Sequence, residues 1–285
     1  MNKAEQAFLP KHKSTINFLN FAADFPTDYQ KFLSSRMHRY FLHFSYDGGA
    51  YHGWQIQPNN MTVQELMTER MSRLFGPDFS LTGAGRTDAG VHASQMVAHF
   101  DVAQPITDVK AMLDKLNSLF PADISVSDLY EVRPDVHARF DAVSRRYQYH
   151  FCLKKNPYKR QYSARLYSCP DVEAMNQAAA ALFDYIDFTS FSKLHTDVKT
   201  NNCRIMEAHW QVQDDELIFT IKADRFLRNM VRAIVGTMLE VGRHKISLDD
   251  FRRIIESKDR CAAGTSAPPQ GLFLTEVEYP ENIKI

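Results

Sequence analysis

Between residues 82 and 93 the chain reads Thr82-Gly83-Ala84-Gly85-Arg86-Thr87-Asp88-Ala89-Gly90-Val91-His92-Ala93, three glycines around an Arg, a Thr, an Asp and a His. Glycine lets the backbone take positive φ and lets a ligand approach closely. The loop therefore either presents a group or is a tight connection in which Asp88 caps a turn. It has neither the Lys-bearing spacing of a P-loop nor the three-glycine spacing of a dinucleotide fingerprint, which argues against phosphate cradling. A carboxylate beside Arg86 would be held ionised, and an ionised, oriented Asp serves as a nucleophile or as a base. No second acid lies in the loop, which weakens a glycosidase reading and suggests chemistry at a single electrophilic carbon.

Two other segments carry guanidiniums. Arg225, Arg228 and Arg232 fall at i, i+3 and i+7 of a helix expected over 225–241, beside the apolar stripe Phe226, Leu227, Met230, Val231, Ile234, Val235, Met238 and Leu239. Arg225 and Arg228 fit either a solvated face or contacts to an RNA backbone. Arg232, flanked by Ile234 and Val235, is expected to be partly buried and so to need an anionic partner, for which Asp88 is a candidate. The stretch 136–149 is basic and leads through Arg145 and Arg146 into a strand on which Tyr147 and Tyr149 share a face. Guanidiniums next to strand aromatics suit single-stranded nucleic acid, phosphate on the cation and base on the ring, although tyrosine pairs on strands also face cores.

These side chains need elements to hold them. Alternation over 40–46, 96–102, 124–130, 147–153, 208–212, 216–223 and 272–279 predicts strands. A Thr62/Glu65 capping pair, then Val63, Leu66, Met67, Met71 and Leu74, predicts a first helix; a second runs through Val109, Met112, Leu113, Leu116 and Phe120; others lie over 171–185, 225–241 and after Ser247. Interspersed strands and helices with several strands in succession predict an α+β fold of two similar ferredoxin-like α/β-sandwich lobes with mainly antiparallel sheets. The expected division is an extension over 1–36, an N-terminal lobe over 37–135 with the Asp88 loop, and a C-terminal lobe over 136–285. The first segment is either an accessory extension or an upstream start preceding Met37.

Lys and Arg number 34 against 34 Asp and Glu, so bulk charge cannot hold a polyanion and any contact must be a local patch. Residues Arg36 to Arg39, Arg139 to Arg160 and Arg225 to Arg232 supply such patches. The four cysteines, Cys152, Cys169, Cys203 and Cys261, lie far apart and read as reduced, mostly buried thiols rather than a zinc or redox site. No run approaches the length of a membrane span, and Asn17, Asn20 and Asp24 break up the apolar residues near the start, so the chain is read as cytoplasmic.

In sequence, Tyr46-Asp47-Gly48 through Gly53-Trp54-Gln55, Gly85-Arg86-Thr87-Asp88-Ala89-Gly90-Val91-His92-Ala93, His137-Ala138-Arg139-Phe140, Arg146-Tyr147-Gln148-Tyr149, Asp187-Phe188-Thr189-Ser190-Phe191, Met230-Val231-Arg232-Ala233-Ile234-Val235-Gly236 and Gly271-Leu272 resemble, in order, the blocks of the TruA-type tRNA pseudouridine synthases. The resemblance covers about residues 39 to 280. It implies a homodimer of two-lobed subunits around a central catalytic cleft, acting on the tRNA anticodon stem-loop, at positions 38, 39 and 40, without cofactor or metal. It implies that Asp88 attacks ribose C1′ or uracil C6, that Tyr147 packs on the target base and assists proton removal at C5, that Arg232 pairs with the aspartate, and that Arg86 helps displace the base. Arg145, Arg146, Arg225 and Arg228 are the expected contacts to the tRNA backbone. Val136, where the family usually has Phe, and Gln95-Met96, where it usually has Gly-Gln, depart from the pattern. The alternatives are an RNA-binding protein of the same fold without turnover and a carboxylate-dependent hydrolase of small glycosides.

Overall fold

Large apolar residues alternate from Tyr40 onward, and β1 (His38–Tyr46) buries Tyr40, Leu42, Phe44 and Tyr46 on one face. Phe41 on the other face is buried too, under Tyr130 and Tyr279. The computed structural model describes residues 37–193 and 200–285, so the extension expected over 1–36 lies outside the described residues. After β1 come α1 (Val63–Phe75), β2 (Thr82–Gly83), β3 (His92–Val102), α2 (Val109–Leu119) and β4 (Ile124–Val132). Then follow β5 (Ser144–Cys152), β6 (Ala164–Arg165), α3 (Val172–Ala181), β7 (Ile205–Gln213), β8 (Glu216–Ala223), α4 (Met230–Gly242), α5 (Leu248–Ser257) and β9 (Leu272–Glu278).

Helix starts follow from caps. Thr62 Oγ1 accepts from the Glu65 N–H at 3.3 Å, and Asp108 and Asp171 do the same for Ala111 and Ala174. The reciprocal capping box forms on α5, between Ser247 and Asp250.

The fold is α+β with a mixed, mostly antiparallel sheet, in the order β4-β1-β3-β9-β5-β8-β7, with β2 on β3 and β6 on β5. One sheet thus runs through both halves of the chain, where separate sheets were expected. The junction is a short parallel pairing, His92 with Phe273 and Ala93 with Leu274. It joins the strand leaving the Asp88 loop to the last strand of the chain, a pairing about 180 residues apart that no local pattern can announce.

The helix expected from Arg225 begins five residues later, at Met230. Asp224 accepts from the backbone N–H groups of Arg204 and Arg225, Met230 N–H turns back to the Leu227 carbonyl, and Asn229 sits at φ 66° before the first turn. Arg225 and Arg228 therefore lie ahead of the helix, and the three arginines do not share a helical face. Within α4 every residue is buried except Arg232 and Glu240. Gly236 permits this, since a Cβ there would lie 1.9 Å from the Thr265 carbonyl oxygen. Cys152 and Cys203 are buried and Cys169 and Cys261 exposed, so half the thiols are buried rather than most. Among the described residues no helix is long and apolar enough to cross a membrane.

Candidate active site

The Asp88 loop leaves β2 and is fastened to β3 and to residues 51–54. Ala84 N–H donates to Val97 O at 2.8 Å, Gly90 N–H to Tyr51 O at 3.2 Å and Trp54 N–H to Thr87 O at 3.4 Å. Gly53 adopts φ +85°, and a Cβ there would meet Thr87 O at 2.3 Å, so only glycine lets the two backbones lie this close. The Tyr46 hydroxyl lies 2.9 Å from Thr87 Oγ1. The residue before Asp88 is thus held through both side chain and carbonyl. A short turn closes the other side, where Val91 N–H donates to Asp88 O at 3.2 Å.

Asp88 does not cap a turn with its carboxylate. Its Oδ2 accepts from Arg232 Nη1 at 3.1 Å, with the side chains 23% and 18% exposed. Arg232 is the third residue of α4, where a cation opposes the helix dipole by about 0.3–1 kcal/mol; the carboxylate offsets this. The guanidinium is aimed by a second bond, Nε to Ala267 O at 2.7 Å, while Ala267 N–H donates to Arg232 O at 2.9 Å. The 264–268 segment is itself anchored, because Asn229 Nδ2 and Arg260 Nη2 both donate to Ser266 Oγ, at 2.6 and 2.9 Å. Sequence reasoning missed Asn229, Arg260 and Ser266; only their convergence on one oxygen reveals them.

Tyr147, on β5, is 8% exposed and meets Phe226 edge-on at 5.1 Å between ring centres. Burial pushes its hydroxyl up to about 12; Asp88 adds to the rise and Arg145 opposes it. The phenol therefore stays protonated at neutral pH and can pack or donate. Tyr149, expected on the same face, is fully buried, with its hydroxyl donating to Pro268 O at 2.6 Å. That tyrosine is core. His92 is buried, its Nδ1 accepting from Gly48 N–H at 3.0 Å and its Nε2 meeting Gln161 O at 3.1 Å. Burial lowers its pKa, and nearby Asp47 opposes the fall, so the neutral ring is a strut at the loop's exit.

The remaining arginines divide in a way spacing did not foretell. Arg145 donates to four carbonyls, those of Ala142 at 3.0 Å, Asp224 at 2.8 Å, Ala84 at 2.9 Å and Arg139 at 2.5 Å. Arg146 pairs with Glu207 at 3.0 Å and Glu276 at 2.9 Å. Both were expected to meet a phosphate backbone; both guanidiniums also have partners within the protein, and Arg146 stays a third exposed. Arg86 was expected to hold Asp88 ionised, but it is exposed and that position belongs to Arg232. Arg86 and Arg225 instead lie near enough to Arg139 to add to the lowering of its pKa that burial begins. The site thus joins one carboxylate–guanidinium pair, a buried phenol and a rim of cations. Among the described residues no group of three His, Cys, Asp or Glu side chains is placed to hold a metal ion.

A family model described as tRNA pseudouridine synthase matches residues 43–141 and 178–280. The chain is 58% identical over 250 residues to a tRNA pseudouridine synthase A of Bacteroides thetaiotaomicron, covering 87% of this chain and 93% of that one. It is 58% identical over 246 residues to the protein of the same name in Bacteroides fragilis, covering 86% and 98%. Against that of Porphyromonas gingivalis it is 50% identical over 250 residues, covering 87% and 99%.

Proposed function

The chain belongs to the tRNA pseudouridine synthase family, and on that premise we propose that it isomerises uridine to pseudouridine in the anticodon stem-loop of tRNA with Asp88 as the nucleophile. The observation that carries the reading is the Asp88–Arg232 pair, whose carboxylate keeps a quarter of its surface open beside Tyr147.

The reaction is mass-neutral. The bond from N1 to C1′ breaks, the uracil turns, a bond from C5 to C1′ forms, C5 loses its proton and N1 gains one. Asp88 attacks either ribose C1′, displacing uracil, or uracil C6; in both routes Arg232, bonded to the carboxylate at 3.1 Å, holds it in register. Tyr147, a neutral phenol, serves as the surface on which the target base lies. Arg86, at the exposed edge of the loop, takes the space the base vacates on extrusion, and Arg225 and Arg228 meet the RNA backbone. Asp88 comes from the first half of the chain, and Arg232 and Tyr147 from the second. In this reading residues 37–135 and 136–285 are two lobes of one continuous sheet, each supplying part of the site. The expected working form is a cytoplasmic homodimer.

The test is incubation with unmodified tRNA transcripts without added metal, followed by carbodiimide mapping. Pseudouridine is expected on the 3′ side of the anticodon stem-loop, and none is expected from Asp88→Asn, which should still bind tRNA. Absence of product there with the unaltered protein would sink the proposal.

A further inference from the structure

Phe140 is 74% exposed. Single exposed apolar residues are ordinary, but this one is not on a loose loop. The Val136 carbonyl accepts from Arg39 Nη1 at 3.0 Å, Ala138 N–H donates to His99 Nδ1 at 3.1 Å, and Ala138 O accepts from the Tyr279 hydroxyl at 2.5 Å. The Arg139 carbonyl accepts from Arg145, and His137 N–H donates to the Asp141 carboxylate at 2.6 Å. The rings form a file from core to surface: His99 against His137 at 4.6 Å, then His137 against Phe140 at 4.4 Å. The fold fixes residues on both sides of Phe140 and still leaves its outer face in water.

The segment that carries the ring is also tied to the Asp88 loop. One nitrogen of Arg145, Nη2, reaches both the Arg139 carbonyl and that of Ala84, two residues before Arg86. Arg139 lies 5.7 Å from the Phe140 ring centre, and the charges of Arg86 and Arg225 bear on it. No ion pair among the described residues involves Arg86, Arg139 or Arg225. Like charges gathered without an ion-paired acid raise the energy of the free protein and are relieved by an anion. A rigid aromatic ring inside a cluster of free guanidiniums is the pattern that holds an unpaired nucleotide, base on the ring and phosphate on the cations.

We infer that Phe140 and Arg139 form a binding subsite for an unpaired nucleotide next to the target uridine, its base stacked on the Phe140 ring and its phosphate met by Arg139 and Arg225. The inference rests on the RNA-modifying reading above and extends it to a second base. Stacking of this kind is lost when the ring is lost, and retained by any flat aromatic side chain.

The test titrates an unmodified tRNA transcript against Phe140→Ala, Phe140→Leu and Phe140→Trp. Ala and Leu should each weaken binding about 5- to 150-fold, from the 1–3 kcal/mol of one base stack, and Trp should restore it. Because the side chain is exposed, all three should melt at the temperature of the unaltered protein. The native tryptophans, Trp54 and Trp210, are each 3% exposed, so the new indole is the accessible reporter. Its emission should be quenched by an anticodon stem-loop oligonucleotide and not by a fully paired RNA duplex of equal length. Leu binding as tightly as Phe, or equal quenching by the duplex, overturns the inference. An unaltered protein that makes pseudouridine normally while Phe140→Leu binds like it would refute the subsite alone. A protein that makes none refutes the parent reading.

Discussion

Protonation of His99 should loosen the seam between β3 and the segment carrying Phe140. The ring is 7% exposed, and its Nδ1 accepts from Ala138 N–H, which only a neutral nitrogen can do. Burial, helped by the charge of Arg39 and by His137, depresses its pKa from 6.5 to about 4. A base with a lowered folded pKa binds fewer protons when folded, so stability is complete above pH 6.5 and falls as the pH drops towards 4. Integrating between those values gives a loss of about 2 kcal/mol at pH 5 and about 3 kcal/mol at pH 4 from this residue. Other depressed histidines, His92 and His43, act in the same direction, so the contribution must be isolated by difference. Urea unfolding of the unaltered protein and of His99→Gln, whose side-chain oxygen can also accept from Ala138, should be compared at pH 7, 5 and 4. The variant should lose about 2 kcal/mol less than the parent between pH 7 and 5. Parallel curves would refute the assignment of a depressed pKa to His99.

Arg145→Met removes one cation from four carbonyls and should lower unfolding free energy by about 3 kcal/mol in a denaturant titration. It should also slow turnover, because Ala84 at the start of the Asp88 loop is released. Gly236→Ala drives a Cβ into the Thr265 carbonyl and should cost about 1–3 kcal/mol, read from the urea midpoint. If it costs nothing, the close packing of 264–268 on α4 is not what aims Arg232. Affinity for tRNA should fall steeply with salt, and Arg225→Gln should reduce the slope of log affinity against log salt by about 0.7–0.9, one phosphate contact. A slope unchanged by the substitution would remove Arg225 from the backbone contacts.

Much of the fold was legible where a local period carried it. The strand over 216–223 matches β8, helix starts at Thr62 and Ser247 follow their caps, and the Gly-rich loop stands out because Asp88 lies among residues that need unusual backbone space. The start of α4 was not legible. Phe226 and Leu227 continue its apolar stripe, and it took the left-handed Asn229 and the turn on Asp224 to end the pattern early. The functions of the arginines were equally hidden, since a guanidinium that will bind four carbonyls and one that will wait for phosphate look identical in a string of letters.

The sequence by itself set one carboxylate, Asp88, in a constrained glycine-rich loop, leaving open whether it is displayed or caps a turn, and set Arg232 in an apolar helix where it needs an anion. These follow from backbone sterics and from the cost of burying a lone charge, both of which are local. Only the tertiary structure decided that the two meet, at 3.1 Å across 144 positions of sequence, and that Arg145 and Arg146 have partners within the protein while no ion pair among the described residues involves Arg86, Arg139 or Arg225. Those outcomes depend on which strands become neighbours. The short parallel pairing of His92 and Ala93 with Phe273 and Leu274 that joins the two halves has no signature short of the folded sheet.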